Sequence, residues 1–349
     1  MAQDNMYLQR KMMAALEQTP PLHQFLHKTF FNRTVRHTTR FIEYDVRKGK
    51  REIARFVNPL HAAHTVGKDG FETKTTMPAY TKEKMQVTPL ETQFRVFGDN
   101  AYVPKTPQQV ADEMMGENLR TLNERLSRLE EKLCADALFT GKVIAEGLGW
   151  STNVDFDYSA GTEYTDNIFT LTGTSAWNNP NSSPLKDIDR WRRNIVRRCG
   201  IRPTHLICAY DVGWAFIEHP EIQKYLDNRR YEIGTVQPDL QANGVSFISE
   251  FSLPSGRIQV YVYDEWFIDP VDGAEKPIVP AGKVLIGSNQ ARCEFHYGMI
   301  QNMESLQAVP RWVKVWTELD GSANWVQLES APMPNLFQPD AFIVGNVLA

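Results

Sequence analysis

Residues 106–141 read TPQQVADEMMGENLRTLNERLSRLEEKLCADALFTG, and this stretch organises everything around it. Thr106 stands where an N-cap belongs, Pro107 at the first helical position, and Gln109 where a capping-box glutamine reaches back to the cap. Apolar residues then recur at Met115, Leu119, Leu122, Leu126, Leu129 and Leu133, at spacings of 4, 3, 4, 3 and 4. Gly141 sits where a left-handed C-cap ends a helix. The spacing predicts a helix over 107–140, on the order of 50 Å long at 1.5 Å per residue. Its apolar seam is narrow, and the remaining faces carry Glu113, Glu117, Arg120, Glu124, Arg128 and Glu131. A coiled-coil strand would look the same. The β-rich sequence on both sides favours instead a spine helix lying on a sheet.

Upstream, residues 1–40 form an arm rather than a domain. A short helix can be drawn through Tyr7–Leu16, and Leu22, Phe25, Leu26, Phe30 and Phe31 must dock on the body or on another chain. Residues 41–95 read as an extended loop. Counted from Arg40 to Arg95, eleven Lys/Arg face seven Asp/Glu, so a chain of net charge −4 has a local surplus of four positive charges here. Phe71-Thr73-Thr75-Met77 alternates against Glu72-Lys74-Thr76, the period of a strand, and Gly67-Lys68-Asp69-Gly70 suits a hairpin tip. Such an arm exposes unpaired strand edges unless a neighbour covers them. Downstream, 147–183 is polar loop with short strands. An α/β pattern follows, with helix 187–199, strand 204–209, helices near 211–217 and 220–227, and strands 257–263 and 283–287. The tail returns as β-sequence, with Trp312–Thr317, an Asp320-Gly321 turn and Trp325–Leu328.

Over 349 residues, 42% hydrophobic and 23% charged, the composition supports a packed core and excludes wholesale disorder. No apolar run approaches the ~18 residues of a membrane span, and MAQDNMYLQRKMMAAL has no secretory h-region; a cytoplasm-like compartment is expected. Cys134, Cys199, Cys208 and Cys293 are too widely spaced for a paired zinc site and read as reduced thiols. Nucleophile elbow, P-loop and G-x-G-x-x-G are all absent. Two weak metal candidates stand against this: the His61/His64 pair, and Asp155-Phe-Asp157-Tyr-Ser159, which reaches Asp166 at position twelve but has Ala160 where a calcium loop needs glycine. Helix 187–199 carries Arg190, Arg192, Arg193, Arg197 and Arg198 beside an apolar stripe of Ile188, Trp191 and Ile195. Such a row suits phosphate or carboxylate partners. A metal-assisted hydrolase and a nucleic-acid-binding scaffold are the alternatives that these features leave. No catalytic residue, cofactor or metal site is assigned.

The order of parts, and motifs at matching spacing, resemble the tailed-bacteriophage major capsid proteins of the lambda E type. Phe30-Phe31 followed by Thr38-Thr39 matches the arm. Pro59, Pro78, Tyr80, Lys82, Lys84, Val87 and Pro89 match the extended loop. Asp211, Gly213-Trp214, Leu226-Asp227 and Arg229-Arg230 match the α/β domain, followed by Gln290-Ala291-Arg292, Tyr297-Gly298 and Ile300-Gln301. Ser330-Ala331-Pro332, Pro339-Asp340 and Phe342 match the tail. The resemblance implies an α+β chain with the Hong Kong 97-type capsid fold. Its parts are an N-terminal arm (1–40), an extended β-loop (41–95), a peripheral domain (96–185) built on the spine helix, an axial domain (186–300) and a return to the peripheral domain (301–349). It implies a structural protein, not an enzyme, assembling as pentamers and hexamers into an icosahedral head around double-stranded DNA. A separate scaffolding protein is expected because only ~40 residues precede the loop. A portal protein and a possible decoration protein are further expected partners, with no membrane and no covalent crosslink. The chain would assemble in the host cytoplasm and reside in the virion capsid. Lys68, Asp69, Lys74, Lys82, Lys84, Arg192 and Arg193 are the subunit-contact candidates.

Overall fold

A computed structural model describes residues 11–16, 24–46, 53–56, 58–59, 67, 72–93, 105–147, 150–159, 166–226, 239–241, 244–304 and 308–348. Residues 11–16 are helical, followed by an arm helix (Phe25–Phe30) and strand β1 (Arg33–Arg36). Strands β2 (Ile42–Val46), β3 (Glu72–Thr76) and β4 (Thr81–Val87) precede the spine helix (Pro107–Thr140). Then come β5 (Lys142–Gly147), β6 (Trp150–Asp155), β7 (Ile168–Thr170), an arginine-bearing helix (Pro184–Cys199) and β8 (His205–Cys208). Two helices (Tyr210–Glu218, Pro220–Leu226) lead to β9 (Asp239–Gln241), β10 (Val245–Leu253), β11 (Gly256–Tyr263), β12 (Trp266–Ile268) and β13 (Glu275–Pro277). The chain closes with β14 (Lys283–Gly287), β15 (Cys293–Tyr297), β16 (Trp312–Thr317), β17 (Asn324–Ser330), β18 (Pro332–Leu336) and β19 (Ile343–Asn346).

The spine helix has the ends its sequence specifies. Thr106 Oγ1 accepts from the Gln109 backbone N–H at 3.3 Å, and Gln109 Oε1 accepts from the Thr106 N–H at 3.0 Å. Gly141 adopts φ +69°, closing the helix in the left-handed conformation. The seam lies on a sheet. Met115, Leu119, Leu122 and Leu126 pack with Val87, Val313, Val315, Val326 and Leu328 from the β16-β17-β4 sheet, and Met12 of the 11–16 helix joins them. The second half of the helix buries Leu133, Cys134, Ala137, Leu138 and Phe139 in a larger core with Leu26, Phe30 and Phe31 of the arm and Phe295 of β15.

The α/β module is a seven-stranded sheet in the order β7-β19-β14-β8-β11-β10-β9. The Pro184–Cys199 helix begins three residues before the sequence reading places it, with Pro184 in its first turn, and buries Ile188, Trp191 and Ile195 as its stripe demands. Three strands pair across the bounds of the linear division. β4 lies within 41–95, yet it pairs with β17 over seven residues and supplies the spine helix's sheet. β19 lies within the 301–349 return, yet it inserts between β14 and β7 in the seven-stranded sheet. β15 lies within 186–300, yet it pairs with β1 of the arm and with β18. In each case backbone groups find ladder partners far along the chain, so the modules interleave rather than follow one another.

Candidate subunit-contact surfaces

The loop candidates fall into three groups. Lys68 and Asp69 lie outside the described residues, as does the His61/His64 pair. Lys74, on β3, is bonded to Asp157 of the turn after β6. Lys82 and Lys84 stand on the β4 face turned away from the spine helix, because alternation sends Met85 and Val87 inward. Lys82 lies 3.5 Å from the fully buried Glu329. Lys84 sits 4.0 Å above the Trp325 ring, which stacks on Trp316 with centroids 6.1 Å apart. Thus three cations read as partners for a neighbour also hold this chain together.

The arginine helix divides its charges. Arg192 is 2% exposed and donates to the carbonyl of Gly256 in the β10–β11 turn, so it fastens that turn rather than facing outward. Its place three residues before Ile195 and four after Ile188 puts it on the apolar stripe, where a neighbouring element covers it. Desolvation there pushes its guanidinium pKa down. Arg193 is exposed and lines a groove with Lys186, Arg190 and Arg197.

A buried polar clasp escaped the sequence reading, which assigned Glu131 to a charged outer face. Glu130 and Glu131 are 1% and 2% exposed. Glu131 Oε1 accepts from the backbone N–H of Leu26 at 2.7 Å and from Tyr263 Oη at 3.1 Å, while Oε2 accepts from the His27 N–H at 3.1 Å. Glu130 accepts from Gln24 Nε2 at 2.7 Å, Tyr297 Oη at 2.9 Å and Arg311 at 2.8 Å. The two carboxylates therefore hold the start of the arm helix to the spine and to β11 and β15. Burial pushes the Glu131 carboxyl up to about 7, against the two backbone donors and Tyr263, which pull it down.

The remaining chemistry is structural. Asp155 pairs with Lys142 at 2.8 Å, which holds its carboxyl below the usual range, and its Oδ1 caps the Asp157 N–H. No group of three metal-ligating side chains occurs among the described residues. The cysteines are free thiols, Cys134, Cys208 and Cys293 buried and all four pushed up by desolvation. Among the described residues no helix is long and apolar enough to cross a membrane.

Comparison with known proteins agrees with this arrangement. A family model described as Phage major capsid protein E matches residues 9–347. The chain is 26% identical over 354 residues to the major capsid protein of Escherichia phage lambda, across 97% of this chain and 98% of that one. It is likewise 26% identical over 359 residues to the major capsid protein of Enterobacteria phage phi80, across 97% and 98%. A prophage protein of E. coli CFT073, described as a capsid protein, superposes with a TM-score of 0.73 at 18% identity, covering 98% of this chain and 99% of that one. The mature capsid subunit of bacteriophage PhiM1 gives 0.52 at 8% identity, across 94% and 88%. At these identities the structural likeness establishes the fold, which is of the Hong Kong 97 type. With the family model spanning nearly its whole length, the chain belongs to the phage major capsid protein E family: it is a structural protein of a tailed-phage capsid and not an enzyme.

Proposed function

We propose that this capsid protein assembles as pentamers and hexamers into an icosahedral head, each subunit laying its extended loop over a neighbour. The observation that carries this reading is the exposure of Ile53 and Phe56, 92% and 106% of their full surface. Burying such a side chain contributes about 1.5–3 kcal/mol, and the described residues of their own chain leave both exposed. Arg51 and Arg55 flank them in the cationic part of a chain that is otherwise acidic, so a neighbour's body attracts the loop and sets its register. The β2–β3 ribbon has no third strand among the described residues, and its edges suit coverage by another subunit. The resemblance adds a separate scaffolding protein, a portal protein, a possible decoration protein and packaged double-stranded DNA, with assembly in the host cytoplasm. Lys68, Asp69 and Arg193 are the contact candidates that stay assigned to a neighbour; Lys74, Lys82 and Lys84 serve both roles.

The test is the double variant Ile53→Asp/Phe56→Asp, made with the other head proteins of its phage. The expected result is a chain with unchanged circular dichroism and thermal midpoint that yields no sedimenting shells. Shells at the unsubstituted yield would overturn the loop's role.

A further inference from the structure

A groove of about 360 Å³ runs between the Pro184–Cys199 helix and the β10–β11 turn. Lys186, Arg190, Arg193 and Arg197 recur along its wall at spacings of 4, 3 and 4, one stripe of the helix, and all four are exposed. Leu185, Leu253 and Pro254 supply apolar lining. The two carboxylates in the groove already have work within the chain: Asp189 Oδ1 accepts from the Ser255 N–H at 3.1 Å, and Glu221 Oε2 from the Leu185 N–H at 3.4 Å. Asn194 lines the same groove. It is 1% exposed, and its Nδ2 has no hydrogen-bond partner among the described residues.

The same chain carries the complementary shape. Residues 264–277, which hold β12 and β13, have five carboxylates and one lysine. Lys276 is shared by Asp269 and Asp272 at 2.6 and 2.8 Å, so the hairpin stays acidic. Trp266, Ile268 and Val271 are 54%, 66% and 80% exposed beside those acids. The groove borders the Leu253–Gly256 turn, whereas the hairpin follows the opposite end of β11, where Tyr263 pairs with Val245. Eight strand residues set these sites about 25 Å apart. Two unlike patches at opposite ends of one module are what a head-to-tail contact requires, and such contacts form rings where the rotation from one copy to the next closes.

We propose that the acidic 264–277 hairpin of one copy docks into the arginine groove of the next, its carboxylates on the Lys186–Arg197 stripe and its apolar residues on Leu185, Leu253 and Pro254. This rests on the capsid reading and adds to it a specific contact around each ring. Arg192 acts as a positioning residue, holding the turn that forms the groove's far wall through Gly256.

The experiment makes the full chain with its phage's other head proteins and counts shells by sedimentation. Either reversal, Arg190→Glu/Arg193→Glu or Asp269→Lys/Asp272→Lys, is expected to lower the yield about tenfold or more, since like charges then face each other. Combining the two reversals in one chain is expected to restore assembly. Unchanged yield from either reversal, or combined reversals that fold by circular dichroism and still form no shells, would overturn the contact. An unsubstituted chain that enters no shell would overturn the capsid reading instead.

Discussion

Glu130 and Glu131 tie the arm helix, the spine helix, β11 and β15 through one pair of adjacent carboxylates. The pair lay in plain view in the sequence, yet its role did not. Heptad-like spacing reports which helix face is apolar, and it cannot report that an N-terminal arm and two tyrosines from distant strands converge on the same turn. The buried Glu131 has a measurable signature. Its carboxyl is raised from 4.5 to about 7, so the folded chain binds a proton more tightly than the unfolded one. Folding stability from this group is therefore largest below pH 4.5 and is lost as pH rises through about 7, by at most about 3 kcal/mol. We expect the unfolding free energy to fall across that window in denaturant titrations, and Glu131→Gln to flatten the fall. An unchanged slope in the variant would contradict the assignment. The groups facing Glu131 are Tyr263, Glu265 and the two backbone N–H donors of the arm.

Among the elements, the spine helix was the most legible, because its ends are written in local chemistry that tertiary context does not override. Thr106→Ala removes one half of the capping box and should cost about 1 kcal/mol of stability. Gly141→Ala should cost more than about 1 kcal/mol. A Cβ at that left-handed position would stand 2.2 Å from Cγ of Tyr158, which is itself partly buried against the core. Equal thermal midpoints for the two variants would count against this ranking. The strands β15, β18 and β19 were far less legible. β18 reads Pro332-Met-Pro-Asn-Leu336, where prolines argue against a strand, and it survives as an edge partner of β15 alone. β15 reads Cys293-Glu-Phe-His-Tyr297, an apolar–polar alternation of only five residues, and the structure buries both of its faces, so the polar one does not mark solvent as the pattern implies. The arginine row was legible as a row, but Arg192's burial depends on the β10–β11 turn folding over it.

At the scale of the whole molecule, the chain combines a well-packed body with surfaces that its own fold leaves unfinished. Ile53, Phe56 and the apolar residues of the acidic 264–277 hairpin are exposed within the described chain, and the β2–β3 ribbon, packed on the core through Ile42 and Tyr44, has no third strand at its edges. Charge asymmetry between the loop and the rest was visible from composition, and the family resemblance supplied its meaning. Interleaving was not visible, because a sequence pattern gives the order of strands and not the sheet each one joins. The central claim is that these surfaces are completed by further copies of the same chain. Its most direct test is negative-stain electron microscopy of the full chain produced with the other head proteins of its phage. The account predicts closed icosahedral shells in which this chain is the main component. A folded chain that remains a 40 kDa monomer while shells form without it would contradict that account.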